Sequence, residues 1–129
     1  MKEFVVSCNP INFDIGNYFT QKQEIVWKQS KKCSVGDYVY IYVGRPLSCL
    51  KYICKITETD LLADVIDEAF YKQQHLSQNS NTKYMRLKFL KEIEDQKLPL
   101  RSLLDNGLKT VQCTTEVCSR LSNYIRKSI

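Results

Sequence analysis

Trp27 opens a basic polar stretch, Trp27-Lys28-Gln29-Ser30-Lys31-Lys32, which runs through Val35-Gly36-Asp37 into a tyrosine-rich segment. A flat aromatic ring with cations beside it suits a planar anionic ligand, because a base stacks on the indole while lysines hold phosphates. A nucleotide is the ligand to which this chemistry points. Residues 22 to 55 hold seven Lys or Arg against Glu24 and Asp37, whereas residues 56 to 82 hold five acids and Lys72 alone. The formal net charge of +5 is thus concentrated around Trp27 and the strand after it. A clustered basic face suits phosphate contact, and equally suits a solvated surface. A lone tryptophan in a domain of this size is also a natural core anchor. An accessible Trp27 would tolerate alanine at little cost in stability; a core Trp27 would not.

Other reactive side chains point less clearly. The cysteines stand at 8, 33, 49, 54, 113 and 118 with no Cys-x-x-Cys pair, and His75 is the single histidine. Structural zinc sites bring their ligands in close pairs, so buried free thiols are the reading, with Cys33 expected to be the most exposed. No metal and no cofactor is expected. A Gly-x-Ser-x-Gly element is missing, and no pair of acids stands beside Trp27. Asp37 reads as turn chemistry. No catalytic residue is assigned.

The elements that must position these residues are mostly strands. Phe4-Val5-Val6 is an apolar run stopped by Asn9-Pro10. Asp14 is a cap for one or two helical turns up to Lys22, carrying Ile15, Tyr18 and Phe19. Tyr38 to Val43 alternates tyrosine with aliphatic residues, and Gly44-Arg45-Pro46 breaks it. Leu50 to Thr57 returns as a hairpin partner, with Leu50, Tyr52, Cys54 and Ile56 expected on one side. Asp60 to Gln74 reads as a helix, Ser77 to Asn81 as a loop, and Tyr84 to Ile93 as a strand. Pro99 leads a short helix, Leu100 to Asp105, closed by Asn106-Gly107. A strand is expected around Leu108 to Val111, and a last helix begins between Thr115 and Ser119.

The 129 residues amount to one domain, residues 1–129, without internal repeat or linker. With 43% hydrophobic and 26% charged residues the composition is that of an ordinary globular protein. No stretch is apolar enough to span a bilayer and the start does not read as a signal peptide, so a cytoplasmic location is expected. The fold class is α+β: a partly open β-barrel of about five or six strands with small peripheral helices, which curls the sheet to protect its edges.

The order Phe4-Val-Val-Ser-Cys-Asn-Pro10, Trp27, Val35-Gly-Asp37, Tyr38-Val-Tyr-Ile-Tyr42 and a returning strand ending near Glu58 resembles the EVE domain. That family belongs to the PUA-like superfamily, with the YTH and ASCH domains. The tail, Gly107 to Gln112 followed by Leu121 to Ile125, is similar to the EVE closing strand and helix. The loop after the tryptophan is shorter here than in EVE proteins, and Trp27-x-x-Ser30 resembles the YTH pocket.

The resemblance implies a PUA-like barrel that reads a modified, methylated nucleobase of DNA or RNA in an aromatic pocket, without catalysis. By position, Trp27 would be one wall and Tyr42 a second. Ser7, Asn9, Gln29 and Ser30 would address the base edge, and Lys28, Lys31, Lys32 and Arg45 the phosphates. Each has a plainer reading: Tyr42 as hairpin core, Asn9 as turn chemistry before Pro10, the lysines as a diffuse cationic surface. Two other functions stay open. ASCH relatives include nucleoside-processing hydrolases, and a small reader also fits an accessory subunit of a restriction or RNA-processing system, with a nuclease or processing partner.

Overall fold

The computed structural model describes residues 1–11, 14–62 and 83–129. Six strands form one sheet: β1 (Glu3–Cys8), β2 (Glu24–Lys28), β3 (Tyr38–Val43), β4 (Cys49–Leu61), β5 (Tyr84–Glu92) and β6 (Thr115–Glu116). Their spatial order is β2-β5-β4-β3-β1-β6, antiparallel throughout except for the parallel pair β1 and β3. Three helices are described: α1 (Ile15–Gln21), α2 (Leu100–Asp105) and α3 (Ser119–Ser128). No described helix is long and apolar enough to cross a membrane.

Alternation along the strands separates two apolar clusters, one on each face of the sheet. Phe4, Val6 and Cys8 of β1 meet Ile25 and Trp27 of β2 in the first, although three strands separate β1 from β2 in the sheet. Only a sheet curled towards closure brings these together, so this cluster is the barrel interior. Ile15 and Phe19, one turn apart on α1, cap it. Phe19 stacks on Phe89 at 4.9 Å between ring centroids and meets Tyr52 edge-on at 5.1 Å. The second cluster lies outside, where Val5, Tyr40, Tyr42, Leu50 and Ile53 are covered by Leu103 of α2 and by Leu121 and Ile125 of α3. β3 is therefore buried on both faces: Val39, Ile41 and Val43 point inward, and Tyr40 and Tyr42 outward under the helices.

Local chemistry explains the boundaries. Asp14 caps α1 by accepting a hydrogen bond from the Asn17 backbone N–H (3.2 Å). Asp37 is turn chemistry as expected, its buried carboxylate accepting from the backbone N–H groups of Ser34 (2.9 Å) and Lys2 (3.0 Å). Gly107 ends α2 in the left-handed region at φ 110°, and a Cβ there would stand 2.9 Å from Cys118 Sγ. Glycine is required on both counts.

Four expectations change. A bulge between Ile41 and Tyr42 pairs them with Tyr52 and Leu50, leaving Lys51 as the extra residue. The alternation of β4 shifts by one, so Leu50 joins the outer cluster while Tyr52, Cys54 and Ile56 stay inside. β2, not anticipated, is a five-residue strand with three successive buried residues, too short for a clean period of two. Asp60 and Leu61 extend β4 instead of starting a helix; the rest of that expected helix, from residue 63, and the expected loop up to residue 81 fall outside the described residues. No strand forms at 108–111. The Leu108 N–H is taken by the Leu103 carbonyl at the end of α2, and the edge of β1 is paired by Thr115 and Glu116.

Candidate functional site

Strand directions sort the candidate residues into two groups. β1 and β3 run one way, β4 returns, β5 runs with β1, and β2 runs against it. Cys8, Val43, Cys49 and Glu24 thus lie at one end of the sheet, and Glu3, Tyr38, Leu61 and Lys28 at the other.

At the first end β1 and β3 finish side by side, with Ser7 level with Tyr42 and the Gly44 N–H donating to the Cys8 carbonyl (2.9 Å). The chain turns away at Pro10 on one side and at Arg45-Pro46, joined by a cis peptide bond, on the other. Between the two turns lies a cavity of about 370 Å³ lined by Ser7, Cys8, Asn9, Ile11, Tyr42, Gly44 and Arg45. That volume falls within the roughly 300–1,000 Å³ typical of small-molecule sites. Ser7, Asn9 and Arg45 are exposed, whereas Tyr42 is buried and belongs to the outer cluster as well. Asn9 Oδ1 accepts from the Ile11 N–H (3.0 Å), which makes the turn and leaves the amide nitrogen as the donor it can offer a ligand. Both readings of Asn9 thus fit one conformation. Ile11, 83% exposed, places an apolar edge at the rim. The Cys8 thiol is pushed up to about 12 by burial and then by the charge of Asp14, so it stays protonated at neutral pH.

The second end holds the other candidates, roughly 25 Å away along the strands at about 3.3 Å per residue. Trp27 is only 7% exposed and sits in the barrel interior, its backbone paired with Met85. The accessible indole anticipated from its cationic neighbours is not what the fold builds: strand pairing turns Trp27 inward and sends Lys28, its neighbour along the strand, outward. Gln29 is held by Asp60, donating to its carboxylate (3.2 Å) and accepting from its backbone N–H (2.8 Å). Burial alone would raise the Asp60 carboxyl, but hydrogen bonds from Lys83 and Gln29 leave it below its ordinary value. Ser30, Lys31 and Lys32 are exposed. The structure therefore brings Ser7, Asn9, Tyr42 and Arg45 to one cavity and places Trp27, Lys28, Gln29, Ser30, Lys31 and Lys32 at the opposite end.

The basic cluster also divides. Lys51 is buried at the β4 bulge, where its ammonium donates to the Ile93 carbonyl (3.1 Å) and meets Glu92 (3.1 Å) and Asp95. It adds nothing to an outer cationic face. Cys33 is half-buried, while Cys113 and Cys118 are the exposed thiols. Ile11, Gly44 and Cys8 were not singled out from sequence. The turns on either side of them, Asn9-Pro10 and Gly44-Arg45-Pro46, were the available signal that two strands end there.

Comparison with known structures decides the fold. Over 98% of its length this chain superposes on the crystal structure of ASCH from Zymomonas mobilis, covering 94% of that chain at TM-score 0.67 and 14% identity. The chain has the ASCH fold. A hypothetical protein from Leishmania major (TM-score 0.64, 15% identity, 98% of this chain and 93% of that one) is similar, as is a Rhodopseudomonas palustris protein solved by NMR (TM-score 0.66, 10% identity, 99% and 92%). No protein-family model and no curated protein matches the sequence. The expected PUA-like, partly open α+β barrel is thereby established, through ASCH neighbours; the likeness to EVE in particular rests on the sequence order alone.

Proposed function

We propose that this chain is a nucleic-acid-binding module that reads a modified base in the cavity where β1 and β3 end. One observation carries the reading: four of the ten residues assigned by position to base and phosphate contact, Ser7, Asn9, Tyr42 and Arg45, line that single cavity. An extruded base needs polar groups for its edge, a surface for its face and a cation for its phosphate. The Ser7 hydroxyl and the Asn9 amide supply the first. The planar guanidinium of Arg45 supplies the second and also the third, over a wall to which the buried Tyr42 contributes. The exposed Ile11 offers apolar contact to a methyl group. The reading assigns no catalytic residue.

The test is fluorescence anisotropy with single-stranded RNA and DNA of about ten nucleotides, each with and without a methylated adenine or cytosine. Asn9→Ala and Arg45→Ala are expected to weaken binding about tenfold, the loss of roughly 1.4 kcal/mol, with thermal stability unchanged. Equal affinity of both variants and the native protein would sink the pocket assignment. Equal affinity for methylated and plain strands would remove base reading and leave plain nucleic-acid binding.

A further inference from the structure

A second cleft lies at the opposite end of the barrel, with a volume of about 690 Å³. It exists because the sheet curls. The loop after β2, on one sheet edge, reaches the segment around β6 on the opposite edge, so that Lys31 faces a wall formed between Gly107 and Leu121. Lys109 enters the same cleft from that wall. These two lysines are far apart in sequence and converge only in the fold.

Their surroundings suit an anion. Lys51, Lys83, Arg86 and Arg126 are each held by a carboxylate, whereas neither Lys31 nor Lys109 meets one among the described residues. The remaining polar lining is mostly hydroxyl, from Thr110, Thr114 and Ser119, while the Thr115 hydroxyl donates to the Cys113 carbonyl (3.2 Å) and Glu116 is the one carboxylate among the lining residues. Thr110 Oγ1 already accepts a hydrogen bond from the Gln112 N–H (3.0 Å), which frees its proton to donate. Ammonium groups with hydroxyl donors are usual partners of phosphate oxygens, and they carry no base information.

We propose that this cleft is a second binding site, which takes the phosphate groups of a single-stranded nucleic acid whose base occupies the cavity at the other end of β1. The assignment rests on the nucleic-acid reading above and adds to it Lys109, which no feature of the sequence marks.

Cys113 and Cys118 line the cleft and are exposed, so they report its occupancy directly. Alkylation of the full chain by iodoacetamide, followed by mass spectrometry at each thiol, is measured alone, with inorganic pyrophosphate and with a ten-nucleotide single strand. Both ligands are expected to slow alkylation at both cysteines at least threefold. The double substitution Lys31→Gln, Lys109→Gln should abolish that protection and lower the log–log salt slope of oligonucleotide binding by about 1.4, two contacts at roughly 0.7 each. Asn9→Ala should weaken the oligonucleotide while leaving pyrophosphate protection intact. Oligonucleotide binding with no protection would overturn the cleft and spare the base pocket. Protection by pyrophosphate with no oligonucleotide binding would keep the anion site and overturn the nucleic-acid reading. Protection that persists in the double variant would overturn the role of the lysines.

Discussion

The two ends of this barrel carry similar polar residue types and use them differently. Where β1 and β3 finish, Ser7, Asn9 and Arg45 stand exposed around a cavity. At the other end, groups of comparable chemistry are consumed by the protein. Gln29 is bound to Asp60 by two hydrogen bonds, and Trp27 is packed inside the barrel. Glu3 accepts from the Tyr40 hydroxyl (2.5 Å) and faces Arg126 (3.5 Å). Burial alone would raise the Glu3 carboxyl, but hydrogen bonds from Ser122 and Tyr40 and the charge of Arg126 outweigh it and hold the group below its ordinary value. What the contrast teaches is that a polar or aromatic residue is available to a ligand only if the fold has not already used it. Within that end, Lys28, Ser30, Lys31, Lys32 and Lys109 meet no carboxylate among the described residues, and of these Lys31 and Lys109 line the cleft.

Trp27→Ala breaks the comparison most directly. Truncating a large core aromatic costs about 3–5 kcal/mol, so a marked drop in the denaturant midpoint is expected, with affinity per folded molecule unchanged. A variant as stable as the native protein would return Trp27 to the ligand side. Gln29→Ala is the intermediate case. Its two hydrogen bonds to Asp60 are solvent-exposed, so their loss lowers stability only slightly. Urea titration should register that loss, and oligonucleotide affinity should not move. The smallest effect is the acid limb of stability. Because the Glu3 carboxyl lies lower in the folded chain than its ordinary value of 4.5, its contribution is present above that pH and is lost as pH falls through the folded value. Glu3→Gln should flatten the fall in Tm below pH 4.5, and an unchanged slope would mean that the Tyr40 and Ser122 bonds carry no stability.

Much of the local structure was legible because it depends on near neighbours. The Asp14 cap, the alternation of Tyr38 to Val43, the Asn106-Gly107 stop and the start of α3 each need only a few adjacent residues. The order of these elements also sufficed for the partly open α+β barrel. The misses share a cause. The β4 bulge, the short strand β2 and the pairing of Thr115 and Glu116 with β1 depend on a partner distant in sequence, which no local pattern reports. The cysteines show the same division: Cys54 reads as strand interior, whereas the exposure of Cys113 and Cys118 follows from where β6 docks.

By itself the sequence determined β1, β3, β5, most of β4 and the three described helices, that they build a partly open barrel, and that Ser7, Asn9, Tyr42 and Arg45 are of the right type to hold a base. Only the tertiary structure decided which of those residues share a cavity. The candidate set was assembled by residue type around Trp27, but strand direction sends its members to opposite ends, and strand pairing turns the indole into the core. Side-chain type travels with the residue, whereas exposure and company are set by the sheet that forms around it.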